Sequence, residues 1–192
     1  MILTGPEIKK QIELGHISID PFIPENVGEN AIDMRLSNTL RFYVSEDNSS
    51  YRLIQEPVSL DMRRETKTIE MTIPERGLLL RPGILYLGNT IETIHSDRYV
   101  SHITGRSSVG RLGLAIHWTA GIIDVGFRGQ ITLEMVVVQP LMVYPNVRIC
   151  QLLFEDTIGE KVQYKGRYQN QSGPVASRGF NEEHGSFSET RK

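Results

Sequence analysis

The segment "TKTIEMTIPERGLLLRPGILYLGNTIETI", residues 66–94, limits what this chain can fold into more than any other. It consists of short runs rich in Ile, Leu, Thr and Tyr, punctuated by Pro74, Gly77, Pro82, Gly83 and Gly88. Runs this short cannot form helices of useful length, and residues of this kind favour pleated, half-buried positions. The same pattern recurs in "HISIDPF", "NAIDMRLSNTLRFYV" (with a turn near Ser37 and Asn38), "YVSHITG", "GQITLEMVVV" and "VRICQLLFED". Many short strands with frequent Gly and Pro turns point to a β-sandwich or a distorted barrel and not to alternating βαβ units. One short helix is expected at the start. Thr4 would cap it with Glu7 as the reciprocal partner, Ile8, Ile12 and Leu14 would form its apolar side, and Gly15 would end it. Residues 45–51 read as a polar loop. The Gly- and Ser-rich stretch after Tyr164 reads as disordered or as a flap that orders on binding.

A chain of 192 residues suits one well-buried core. Its formal charge of −2 provides no general field for DNA, RNA or an anionic membrane, so anion binding must be local. The single cysteine, Cys150, rules out an internal disulfide and fits a reducing compartment. No signal peptide or membrane span is apparent, and a cytoplasmic setting is expected.

The chemistry concentrates in two blocks. "GRSSVGRLGL", residues 105–114, sets Arg106, Ser107, Ser108 and Arg111 close together. If the serines open a helical turn, hydroxyls, backbone N–H groups and two forked guanidiniums converge on one anion. A capped surface helix with two solvated arginines would look the same. "HWTAGIIDVGFRGQITLE", residues 117–134, contains Asp124, Gly126 and Gly129 as a hairpin turn, then a strand. Alternation puts Ile131, Leu133, Met135 and Val137 on one face and Thr132, Glu134 and Val136 on the other. Partial burial would suit Glu134 to proton shuttling, whereas a solvated strand face is the plainer reading. Asp124 is a turn residue on its own evidence, and His117 a structural hydrogen-bonding histidine.

Other chemistries lack their signatures. Zinc nucleobase deaminases need H-x-E with P-C-x-x-C. This chain has one cysteine and five scattered histidines, His16, His95, His102, His117 and His184. "GRSSVG" does not keep the spacing of a hydrolase nucleophile elbow. Walker and dinucleotide fingerprints are missing too.

Taken together with "AIDMRLSN", "RICQLLF" and "GRYQNQSGPVASR", the two blocks resemble, in order and spacing, the dCTP deaminase branch of the trimeric dUTPase superfamily. The resemblance spans residues 1 to about 178. It implies a mainly β subunit, a distorted barrel or jelly roll with a short N-terminal helix, forming a homotrimer with active sites between subunits. A C-terminal lid would begin at about 164, leaving 179–192 as a disordered polar tail.

It also implies hydrolytic deamination of dCTP to dUTP and ammonia without a metal at the base, magnesium accompanying the triphosphate, and inhibition by dTTP. Glu134 would shuttle protons, with Ser107 and Arg111 holding the water and the ring environment beside Ala120. Arg106 and Ser108 would meet phosphates within the block that also holds Val109 and Gly110, and Gln151 would be another phosphate contact. Asp124 would take the deoxyribose 3′-hydroxyl, and Thr132 and Leu133 would meet the base through their backbone. Tyr164, Arg167 and Gln171 match nucleotide contacts in the tail, with Arg167 standing where lysine is usual. In relatives that also release pyrophosphate, giving dUMP, a glycine and then an aromatic residue follow the Thr-Ala pair, and Ile122 departs from the second. Gly121 matches the first, leaving room for a water beside Asp124, which could act as base toward the α-phosphate. A non-catalytic nucleotide-sensing trimer is the alternative from another class.

Overall fold

The computed structural model describes residues 1–44 and 58–180. The polar loop expected at 45–51 and nearly all of the tail expected at 179–192 lie outside the described residues.

Helix α1 (Gly5–Glu13) opens with Pro at its first turn, where the missing N–H costs nothing, and buries Ile8. Its expected capping box does not form. Thr4 makes no side-chain cap bond, and Glu7 instead accepts from Gln11 Nε2 at 2.6 Å, one turn along the helix. Leu14 lies outside the apolar side, 59% exposed.

The rest is β structure: β1 (Ile17–Asp20), β2 (Ile32–Arg35), β3 (Thr39–Tyr43), β4 (Thr68–Thr72), β5 (Leu78–Leu80), β6 (Tyr86–Ser96) and β7 (Val100–Gly105). A helical turn α2 (Ser107–Gly110) precedes β8 (Leu114–Ile116), β9 (Ile122–Ile123), β10 (Arg128–Val137), β11 (Leu141–Val143) and β12 (Arg148–Glu155). One sheet runs β4-β3-β6-β10-β8 with β1 also on β6, a second runs β2-β12-β7-β9, and β5 pairs with β11. All pairings between these strands are antiparallel. The sheets are open and wrap one core that includes Met34, Leu36, Leu40, Leu133, Met135 and Phe154, each fully buried. Among the described residues no helix is long and apolar enough to cross a membrane.

Two expectations about turns are corrected. Gly88 does not punctuate: it lies inside the eleven-residue β6, where a Cβ would come 2.8 Å from Met135 Sδ. Close approach between β6 and β10 is its reason for being there. Asp124–Gly129 is not a hairpin turn, because β9 pairs with β7 while β10 pairs with β6 and β8. The segment carries the chain from one sheet to the other.

Between the sheets lies Glu92, 2% exposed, which accepts from Arg35 Nε at 2.7 Å and from the Arg35 backbone N–H at 3.0 Å. Removing one partner of such a buried pair costs about 3–5 kcal/mol, because a desolvated charge is left behind. This pair therefore fixes β2 against β6.

Candidate active site

Strand β10 carries the centre of the site. Its register against β6 shifts between Gln130 and Thr132, and Ile131 N–H donates to Thr90 Oγ1 inside the bulge. Beyond it, Ile131, Leu133, Met135 and Val137 point into the core, while Thr132, Glu134 and Val136 are half-buried on the other face. Bulges beside a functional surface re-aim side chains in this way. Thr132 and Glu134 enter a cleft of about 420 Å3 whose walls also include Ala120, Asp124, Tyr164 and Gln171.

The loop from β8 to β9 orients Glu134. The Thr119 hydroxyl donates to Glu134 Oε2 at 2.9 Å. His117 N–H donates to the Glu134 carbonyl at 2.9 Å, and its ring Nε2 lies 2.7 Å from Ala120 O, which can only accept. The His117 backbone is left-handed at φ 55, and its buried Nδ1 has no hydrogen-bond partner among the described residues. A non-glycine residue held in this region is strained, and the surrounding bonds hold it there.

Asp124 opens the crossing turn, where Phe127 N–H donates to its carbonyl at 3.2 Å. Gly126 (φ 88) permits the bend, and its N–H donates to Ser96 O at 2.7 Å. Gly121 lies against β7, where its carbonyl accepts from Ile103 N–H at 2.8 Å. A Cβ there would lie 2.8 Å from His102 Nε2 and 3.0 Å from Ile103 O, so the glycine serves the approach of the loop to β7.

The segment from Tyr164 onward is ordered against the chain's own β10. Gln130 N–H donates to Gln171 O at 3.0 Å, Gln171 Nε2 to Gln130 O at 2.7 Å, and Gly173 N–H to Gln130 Oε1 at 2.7 Å. Val175 N–H reaches Thr132 Oγ1 at 3.1 Å, and Ser177 N–H reaches Tyr43 Oη at 3.2 Å. The Tyr164 ring stands edge-on to Phe127, centroids 5.9 Å apart. Arg167 and Arg178 each donate to the other's carbonyl, at 3.1 and 2.6 Å.

The remaining sequence-derived candidates lie elsewhere. Arg106, Ser107 and Gly110 line a shallow hollow of about 520 Å3 together with Trp118, and His117 borders both hollow and cleft. Ser107 does begin a helical turn; Ser108 and Arg111 are exposed on it, and Val109 packs on the core. Leu133 is 0% exposed, backbone included, and does not line the cleft. Gln151 and Arg106 both donate to Asp33. Within one chain, then, Ser107 and Arg111 do not line the cleft of Glu134.

Sequence reading missed Thr119, Tyr168 and Asp33. Thr119 sits inside the quoted "HWTAG" block and Asp33 inside "AIDMRLSN", but neither carries a spacing signal of its own. Among the described residues no group of three or more His, Cys, Asp or Glu side chains is placed to hold a metal ion.

Residues 2–157 match the family model described as dCTP deaminase-like. A protein of Hathewaya histolytica named "dCTP deaminase, dUMP-forming" is 46% identical over 174 residues, 90% of this chain and 94% of that one. One of Clostridium beijerinckii with the same name is also 46% identical, over 90% of this chain and 93% of its own. The crystal structure of 2'-deoxycytidine 5'-triphosphate deaminase from Agrobacterium tumefaciens shares the fold, with a TM-score of 0.60 and 18% identity over 81% of this chain. The present chain spans about half of that longer one, 48%. On this evidence the chain belongs to the dCTP deaminase-like family.

Proposed function

We propose that this protein deaminates dCTP and carries the product on to dUMP, and that Glu134 is its catalytic carboxylate. The observation that carries the reading is Glu134 itself: half-buried in a cleft with Asp124, bound by Thr119, on a strand whose bulge aims it there. In the first step Glu134 takes a proton from water as the oxygen adds to C4 of the cytosine ring. It then passes that proton to the amino group, the C4–N bond breaks with loss of ammonia, and the proton left on the C4 oxygen moves to N3, giving dUTP. In the second step water adds at the α-phosphorus and pyrophosphate leaves, giving dUMP, with Asp124 as base. Two products were open from the sequence, dUTP or dUMP; the names of the relatives favour dUMP.

Magnesium would arrive on the triphosphate, held by phosphate oxygens and water in the manner usual for this ion. The hollow at Arg106 and Ser107, with Arg111 at the end of the same helical turn, would supply phosphate and ring contacts to the Glu134 cleft of an adjoining copy in a homotrimer. Residues 1–178 would form one domain, with the segment from about 164 as lid over the cleft. The reaction would take place in the cytoplasm, on the free nucleotide pool, with dTTP as a competing ligand.

The test follows ammonia and pyrophosphate together from dCTP and magnesium, for the native protein and Glu134→Gln. Both products from the native protein are expected, with ammonia release by the variant lower by roughly 10²–10⁴. Ammonia without pyrophosphate would restrict the protein to deamination. Neither product, with nucleotide still bound, would replace the enzyme by a sensor.

A further inference from the structure

Asp33 is the one carboxylate, among the described residues, that holds Arg106, Gln151 and Arg148 together, and Arg106 lines the hollow. It lies on β2 directly opposite Gln151 of β12. Its Oδ1 accepts from Arg106 Nε at 3.1 Å and from Gln151 Nε2 at 3.2 Å, and its Oδ2 lies 3.4 Å from Arg148 Nη1. Arg106 Nη1 also donates to Arg148 O at 3.1 Å. Asp33 is 9% exposed, so water competes poorly for these bonds.

Two guanidiniums share one carboxylate, which leaves the group with a net positive charge. Arg106 has five N–H donors; the Nε and Nη1 contacts account for part of the set, and the outer edge of its fork remains for a ligand. Without Asp33, Arg106 would keep its charge and lose the bond that stops rotation about its long side chain. A bidentate phosphate contact needs orientation as well as charge.

We infer that Asp33 is a positioning residue: it presets Arg106 and Gln151 as a pair of phosphate donors, so that nucleotide binds without ordering them first. The inference rests on the assignment of these two residues to a triphosphate. It separates from a Coulombic role by sign. If Asp33 acted by its charge, removing it would strengthen binding of an anion; if it acts by orientation, removing it weakens binding.

The experiment is a double-mutant cycle on Asp33→Asn and Arg106→Ala in the full-length Glu134→Gln protein, titrated calorimetrically with dCTP plus magnesium and with dCMP. Asp33→Asn is expected to weaken dCTP binding roughly tenfold, the scale of one hydrogen bond to a charged group. The effect should fall to within about twofold in the Arg106→Ala background. It should be smaller for dCMP, which lacks the outer phosphates. Unchanged or tighter dCTP binding, or an equal loss with and without Arg106, would overturn the inference.

Should Asp33→Asn unfold below room temperature, Arg106→Lys carries the test, since a lysine keeps the charge but cannot bond Asp33 and a phosphate as a fork. A roughly tenfold loss supports positioning and an unchanged affinity refutes it. Native protein that binds dCTP in this Asp33-dependent way yet releases no ammonia would keep the inference and remove the deaminase reading. Native protein that does not bind dCTP would remove both.

Discussion

Thr119 touches Glu134 through a single hydroxyl, and Thr119→Val removes that bond while keeping the shape. Because Thr119 is exposed, water can replace part of what is lost, so the expected effect is small: kcat for ammonia release falls roughly fivefold with KM little changed. A steady-state series on dCTP checks it. Cys150 offers a second residue-level expectation. Complete burial, with smaller contributions from the Glu92 and Asp33 carboxylates, holds its thiol well above the ordinary 9.0. The folded protein keeps the proton where the unfolded chain releases it. The thiol's contribution to stability is thus intact below about pH 9.0 and is lost as pH rises through the folded value. The thermal midpoint of the native protein should fall more steeply above pH 9 than that of Cys150→Ala, measured by melts across the alkaline range. At this scale the sequence was readable where a period governed it. Alternation along β10 placed Glu134 opposite Leu133 correctly, because a strand has no other way to turn its side chains. Thr119 was not readable, since its contact depends on how a loop without periodicity folds back over β10.

At the scale of elements, the segment from Tyr164 shows where composition misleads. Residues 164–178 are polar and rich in Gly, Gln and Ser, which reads as disorder or as a flap awaiting its ligand. The structure binds them in place with backbone hydrogen bonds. Strand β8 covers only Met135–Val137 of β10, so the edge of β10 nearer Arg128 is left open. The tail fills it, with Gln171 bridging to Gly129 and Gln130 gripping Gln171 and Gly173. Covering an open edge is a general need of sheets, and hydrophobicity patterns do not record it. Gln130→Ala should therefore loosen this segment without unfolding the core. Exchange of the Gly173 amide should accelerate, and trypsin should cut after Arg167 or Arg178 sooner than in native protein, as hydrogen exchange and timed digestion would show. The helix and most strands were legible from their runs and breakers. The wrong hairpin at Asp124–Gly129 arose because turn residues mark a change of direction and not the partner of the strand that follows.

For the whole molecule, the division of candidate residues between the Glu134 cleft and the Arg106 hollow has a direct consequence. If adjoining copies complete each site, Glu134→Gln and Arg111→Ala chains, each inactive as pure protein, should recover activity when unfolded together and refolded as a mixture. The expected recovery is about a quarter of native, the statistical share of sites with both halves intact across a head-to-tail interface. No recovery would mean that each chain works by itself. Such an arrangement is implied by the family resemblance alone, because no local pattern in the sequence encodes which surface meets which. The close fit of Met135 sulfur against Gly88 also bears on oxidative damage. The six methionines run from the surface to the core: Met1 is 91%, Met62 75% and Met142 44% exposed, Met71 is half-buried, and Met34 and Met135 are fully buried. Peroxide would reach the outer sulfurs first and be consumed there, adding oxygen where there is room for it. At Met135 a sulfoxide oxygen would need space against the same wall that leaves none for a Cβ at position 88, so oxidation there would part β6 from β10 and destroy the strand that carries Glu134.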